Sequence, residues 1–444
     1  DDVSPRRIIR NDFDTLTPIV INSSGSYYLG EDIFALPNQH GIEIQVADVT
    51  LDLNGFSVIG NTEVGSLDGI IVTGVARNHI RVHNGRVEAF FGDGINLSAS
   101  SQVSIDRVSV FSAGGEGIRV GADSIVENCQ LGFIQGDGID AGDGSLVRSC
   151  VVTQAGLNFG TGIRMGEGGT VLDSTASDCG GDGVSTGIGC EVRNCNATNN
   201  AGNGISMNFD SIAIGCQSDG NSTGFASIAM TVFKDCFATN NTGGGFTVAG
   251  FGGARLEGCA AYSNGAAGIV APSRSHLIGC TVESNQTVGV SLGSSCTLRD
   301  VVASNTVVGG GITSNGTLTA TNCSANDNAG DGIVAGVGSM IRECSMDDNT
   351  GDGIVGGNDT RIMGCVARGN TLSGIHLTGL RGLILDCHSS NNGVGIDVDD
   401  QDNAIARNIA IGNTTNFDVV ALNHAPGTAT FFAGAEPWAN FRFP

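Results

Sequence analysis

Four carboxylates recur at one position of a repeating pattern: Asp68, Asp93, Glu116 and Asp137 each stand immediately before a glycine. Two residues after the glycine of each unit comes a second polar column, with Asn96, Arg119, Asp140 and Arg164 as its early members. If successive units stack as strands of one sheet, neighbouring carboxyls lie ~5 Å apart and alternate ones ~10 Å apart. Like charges that close either raise a pKa or gather a cation. Asp68, Asp93, Glu116 and Asp137 are therefore a candidate cation site, with Ca2+ the ion that an all-oxygen donor set suits. The same spacings approach those of retaining and inverting glycosidases. On that reading Asp93, Glu116, Asp137, Asp140, Arg119 and Arg164 form the candidate catalytic set. Aspartate before glycine is also ordinary turn chemistry, and Asp182, Asp331 and Asp352 repeat it where no second cluster is expected.

The elements that would position these groups are read from internal self-similarity. A glycine followed by Ile, Val or Phe opens each unit, from Gly41-Ile42, Gly69-Ile70 and Gly94-Ile95 through to Gly395-Ile396, with Asn416-Phe417 closing the series. From Gly268 onward the step is almost always 21 residues. About 12 residues after the glycine lies a cysteine column that includes Cys129, Cys150, Cys195, Cys259, Cys280, Cys344 and Cys387. An apolar residue precedes each by three positions, and an asparagine such as Asn200, Asn285, Asn349 or Asn392 follows five positions later. One apolar residue per unit in fixed register is what the inner face of a parallel stack requires. The glycine is expected to supply backbone freedom for a turn, and the asparagines to take left-handed angles while passing side-chain hydrogen bonds between coils. The pattern predicts an all-β, single-stranded right-handed parallel β-helix (a β-solenoid) of about 18 coils of ~21 residues, with three strands per coil. Residues 1–40 are expected to form an N-terminal cap and entry segment, 41–423 the β-helix and 424–444 an aromatic C-terminal cap.

The opening stretch SGSYYLGEDI followed by HGIEIQVADVTLDLNGFSVIG resembles the entry coils of bacterial secreted right-handed β-helix repeat proteins. These belong to the pectate-lyase-like superfamily and its carbohydrate-binding, sugar-hydrolase and NosD-like repeats. The resemblance spans nearly the whole chain. It implies the fold, an exported location (secreted, cell-surface or periplasmic) and a carbohydrate connection. The combined motif set of polygalacturonase-like enzymes, resembling NTD, DD, GHG and RIK, does not stand in this sequence, which weighs against catalysis. Copper handling, which the NosD-like relatives suggest, lacks a methionine–histidine cluster here.

The formal charge is −24, and Lys234 is the only lysine. Such a chain repels nucleic acid and anionic surfaces, and no apolar run approaches the ~20 residues of a membrane span. The start at Asp1 reads as a processed or trimmed end. The 14 cysteines read as buried free thiols, because ladder cysteines face inward on successive rungs and no Cys-x-x-Cys pair suggests zinc. The seven histidines are scattered and read as ordinary surface or packed residues. Two contact features stand out. One is an outward stripe two residues before the cysteine column, with Ile214, Ile278, Arg299, Arg342, Met363 and Leu385. The other is the aromatic tail, with Phe431, Phe432, Trp438, Phe441 and Phe443. The sequence thus favours a non-catalytic exported solenoid, a structural surface, matrix or fibre component or a glycan-binding scaffold. Its partners would be other copies of itself or extracellular glycans. The alternative is a polysaccharide lyase, glycoside hydrolase or epimerase using the acidic cluster.

Overall fold

A computed structural model describes residues 6–11, 18–61, 67–156, 159–429 and 438–443. The fold is an all-β parallel solenoid of about 19 turns with ~21 residues per turn, and its described residues separate into two compact units, 1–226 and 227–444.

In the first unit the opening apolar residues stack in parallel register, Ile42 on Ile70, Ile70 on Ile95, Ile95 on Ile118, Ile118 on Ile139 and Ile139 on Ile163. Each is fully buried. A second column, Val82, Ile105, Val126, Val147, Val171 and Val192, fills the opposite side of the core. Winding begins earlier than the opening glycines suggest: Ile19–Ile21 pairs with Ile42–Ile44, and Gly25–Leu29 with Val49–Asp52. That early rung lies inside the segment read as a cap.

The second unit repeats the scheme. Ile269, Val290, Ile312, Ile333, Ile354, Ile375 and Ile396 form one column, and Leu256, Leu277, Leu298, Ala320, Ile341, Ile362 and Ile384 the other. The tail continues the winding, because Asn440–Phe443 adds a parallel rung on Ile409–Ile411. Phe441 and Phe443 stack with centroids 6.4 Å apart, and the Arg407 guanidinium lies 5.3 Å from the Trp438 ring centre. Phe431 and Phe432 lie outside the described residues.

Two local expectations change. The opening glycines do not adopt left-handed angles; they are needed for close approach. A Cβ on Gly94 would sit 2.3 Å from Val110 Cγ1 and 2.6 Å from the Gly117 carbonyl. Nor do the ladder asparagines take the left-handed angles. Those fall one residue earlier, at Asn199 (φ 54), Asp327 (φ 55) and Asp348 (φ 56). The ladder asparagines are buried and carry hydrogen bonds along the stack: Asn349 Nδ2 donates to Asn370 Oδ1 at 2.9 Å and to the Ala325 carbonyl at 2.9 Å. All fourteen cysteines are free and buried, and their thiols donate to backbone carbonyls, as Cys150 does to Arg148 O at 3.3 Å.

Candidate functional site

The acidic column of the first unit is built into the turns. Asp93 N–H donates to Asp68 Oδ1 at 2.8 Å, Glu116 N–H to Asp93 Oδ1 at 2.8 Å, and Thr161 N–H to Asp137 Oδ1 at 2.6 Å. Each carboxylate thus holds the backbone of the following coil. The column two residues beyond the glycine forms a ladder in which Asn96, Arg119, Asp140 and Arg164 are successive register partners. Arg119 Nε donates to Asp140 Oδ2 at 3.1 Å, and Arg164 Nε to Asp137 Oδ2 at 2.6 Å. Asn96 donates to the second oxygen of Asp93 at 2.8 Å. Both arginines are therefore neutralised within the site.

Asp93 differs from its neighbours. It is 7 % exposed. Burial, together with a hydrogen bond to the Glu116 carboxyl and that group's charge, pushes its pKa up to about 7. Asp137 and Asp140 are instead tied to the arginines, so the six groups read as a catalytic set divide into the neighbouring carboxyls Asp93 and Glu116 and two ion pairs. The four-carboxylate cation site expected at Asp68, Asp93, Glu116 and Asp137 does not form a cluster of converging ligand atoms among the described residues. Backbone N–H groups, Asn96 and Arg164 engage oxygens of Asp68, Asp93 and Asp137, and Arg119 lies 3.8 Å from Glu116.

Beside this pair lies a feature that the sequence pattern did not reveal. Phe91 and Phe133 stand 69 % and 58 % exposed in a chain with 5 % aromatics. They line an open depression of about 350 Å³ with Ser112, Ala113, Gly114 and Gln135. Gly114 in its lining packs against the preceding coil, where a Cβ would meet the Phe91 carbonyl at 2.2 Å. Phe91 stands two residues before Asp93 in the chain.

The second unit holds another constellation at the same place in the repeat. Asp352 precedes its glycine, and His376 and Asp397 are register partners two residues beyond theirs. His376 Nδ1 lies 3.0 Å from Asp352 Oδ2 and Nε2 2.9 Å from Asp399 Oδ2. Ser373 Oγ donates to Asp397 Oδ2 at 3.0 Å. The hydrogen bond to Asp352, opposed by burial and reinforced by Asp399, holds the imidazole protonated up to about 9. The sequence carries a signal for it: the column of Asn96, Arg119, Asp140 and Arg164 continues beyond the acidic early coils to His376, Asp397 and Asp418.

The outward stripe is continuous in the second unit, with Ile278, Arg299, Thr321, Arg342, Met363 and Leu385 as successive partners. Arg299 and Arg342 are exposed and the aliphatic members half-buried. Ile214 occupies the equivalent position in the first unit, paired with Arg193.

Stacked parallel rungs, an asparagine ladder and a coil of three short strands define the right-handed β-helix class. The model of the right-handed β-helix region family matches residues 19–164, 94–230 and 267–416, and the chain belongs to that family. Similar solved structures include the Dettilon tailspike protein (gp208), 13 % identical with a TM-score of 0.36, covering 66 % of this chain and 59 % of that one. This chain thus spans less than two thirds of the tailspike's length. The Azotobacter vinelandii mannuronan C-5 epimerase AlgE4 A-module is 13 % identical with a TM-score of 0.22, covering 86 % of this chain and 88 % of that one. Pectate lyase Pel9A is 12 % identical with a TM-score of 0.28, covering 62 % and 68 %. No curated protein sequence matches the chain. No described helix is long and apolar enough to cross a membrane.

Proposed function

We propose that the chain is an exported glycan-binding β-helix that holds a neutral polysaccharide on the flank carrying Phe91 and Phe133. The observation that supports this is the pair of exposed phenyl rings lining one open depression, on coils whose opening strands carry the polar ladder Asn96, Arg119, Asp140 and Arg164. Sugar rings present an apolar C–H face and a rim of hydroxyls, so they need an apolar platform with a few fixed polar partners. The ladder supplies both donors and acceptors. Its arginines are already paired with carboxylates, and the chain carries −24, which favours a neutral glycan over a uronate polymer. A glycan panel spanning neutral polysaccharides, alginate and polygalacturonate tests this reading. Retention of a neutral glycan supports it, and retention of uronates alone counters it.

A second reading, glycosidic-bond chemistry, draws on the Asp93 proton held near neutrality beside Glu116. Its cost is that both Asp93 oxygens are occupied by Glu116 N–H and Asn96. Depolymerisation of a panel member, lost in Asp93→Asn, would establish it.

A further inference from the structure

The cluster around His376 carries a chemistry that glycan binding does not require. We propose that His376, Asp397 and Asp399 form a binding site for a divalent first-row transition metal of the zinc class, open on one side to solvent. Each residue offers one ligand atom, and these atoms all lie within 4.8 Å of one another. Zinc bonds of about 2.0–2.2 Å bring tetrahedral ligand atoms roughly 3.3–3.5 Å apart. Closing the site therefore asks only for side-chain rotation, and the Asp399 side chain is 58 % exposed and free to make it.

Two features set this cluster apart from a loose acidic patch. The first is a fixed imidazole. Asp352 Oδ1 accepts Ser373 N–H at 2.6 Å, and its Oδ2 engages His376 Nδ1 at 3.0 Å. Nε2 is then the nitrogen turned toward Asp399, the arrangement by which an outer carboxylate orients a metal-ligating histidine. The second is space. A depression of about 350 Å³ lined by Leu372, Ser373, His376, Val394 and Asp397 leaves room for a water or a ligand oxygen to complete coordination.

The donor set chooses the metal. Calcium and magnesium take oxygen ligands, whereas an imidazole with two carboxylates suits zinc, cobalt or nickel. Asp352, Asp397 and Asp399 surround one ring, and Asp418 is the next register partner of Asp397, so the local field favours a cation. On binding, the ion replaces the proton between Nε2 and Asp399, which passes to solvent.

Calorimetric titration of the folded chain with zinc chloride alone and with calcium chloride alone tests the proposal, alongside the visible spectrum during cobalt titration. The expected result is one saturable zinc site per chain, of micromolar affinity or tighter (about −8 kcal/mol). Calcium should bind at least about tenfold more weakly, and cobalt should show the intense bands of a four- or five-coordinate ion. His376→Ala abolishes the site, and the surface variant Asp399→Asn weakens it about 10- to 100-fold. His276→Ala, an exposed histidine on another strand, leaves it unchanged. Far-UV circular dichroism verifies that each variant is folded. A zinc isotherm unaltered in His376→Ala or Asp399→Asn, no saturable zinc binding, or calcium binding of equal strength overturns the proposal. It stands or falls separately from the glycan reading, which concerns the first unit.

Discussion

Asp93 Oδ1 accepts the backbone N–H of Glu116 at 2.8 Å while burial and the neighbouring Glu116 carboxylate disfavour the charge on Asp93. One residue thus both fastens the next coil and carries a carboxyl in an environment that resists its charge.

That relationship sets a pH dependence. The Asp93 pKa rises from 3.8 in the unfolded chain to about 7 in the folded one, so between those values the folded chain binds the additional proton. Stability therefore falls as pH rises through this window, and the contribution is flat below and above it. Asp93→Asn removes the slope while keeping an oxygen for Glu116 N–H. Denaturant midpoints at pH 4 and pH 8 should show the variant gaining on wild type by about 2–4 kcal/mol across the window. Parallel pH profiles would show that Asp93 titrates alike in the folded and unfolded chain and would contradict its raised pKa.

The asparagine ladder of the second unit should be the most demanding surface-to-core feature. Asn349 Oδ1 accepts from both the backbone and the side chain of Asn328, at 3.1 and 2.9 Å. Asn349→Ala leaves those donors and the Ala325 carbonyl buried without partners, at an expected cost of about 2–5 kcal/mol. Its neighbour Asp348 has φ 56, so Asp348→Gly should be neutral within about 0.5 kcal/mol and Asp348→Ala destabilising by about 1 kcal/mol. Equal effects at the two positions would contradict the division of labour between corner and ladder.

Much of this architecture was legible in the sequence, because each inner position recurs once per coil. Ile95, Ile118 and Ile139 or Cys323, Cys344 and Cys365 announce the stack without any structural knowledge. The physical roles were less legible. Gly94 looks like a flexible hinge, but its constraint comes from Val110 and Gly117, which lie on other strands and on the next coil. The site residues were harder still. Phe91 and Phe133 stand at different offsets from their glycines, since the turn before the glycine varies in width, so no column reveals them. Asp352, Ser373, His376 and Asp399 meet only because successive coils bring them into register.

A steric prediction separates the two kinds of glycine. Gly94→Ala forces a Cβ to 2.3 Å from Val110 Cγ1 and should destabilise by about 2–4 kcal/mol. Gly279 has φ 60 and open space around a built Cβ, and Asn and Asp fill the same corner elsewhere. Gly279→Asn should shift stability by less than about 1 kcal/mol. Thermal melts of both variants decide the matter, and a benign Gly94→Ala would contradict the packing described.

The buried thiols predict slow chemistry. Burial raises the Cys179 thiol to about 11, and all fourteen sulfurs are covered. A thiol reagent at pH 8 should label the native chain only at the rate of unfolding, and label fourteen groups rapidly in denaturant. Fast labelling of native protein would mean that coils open locally, and fewer than fourteen labels in denaturant without reductant would reveal disulfides.

The central claim is that the Phe91–Phe133 flank holds a neutral glycan. Affinity electrophoresis through gels containing the neutral polysaccharide retained in the panel tests it most directly, comparing wild type with Phe91→Ala/Phe133→Ala. Both rings are mostly exposed, so the double variant should keep its fold. Losing two stacking contacts should weaken retention about tenfold or more. Retention unchanged in the double variant would contradict the account.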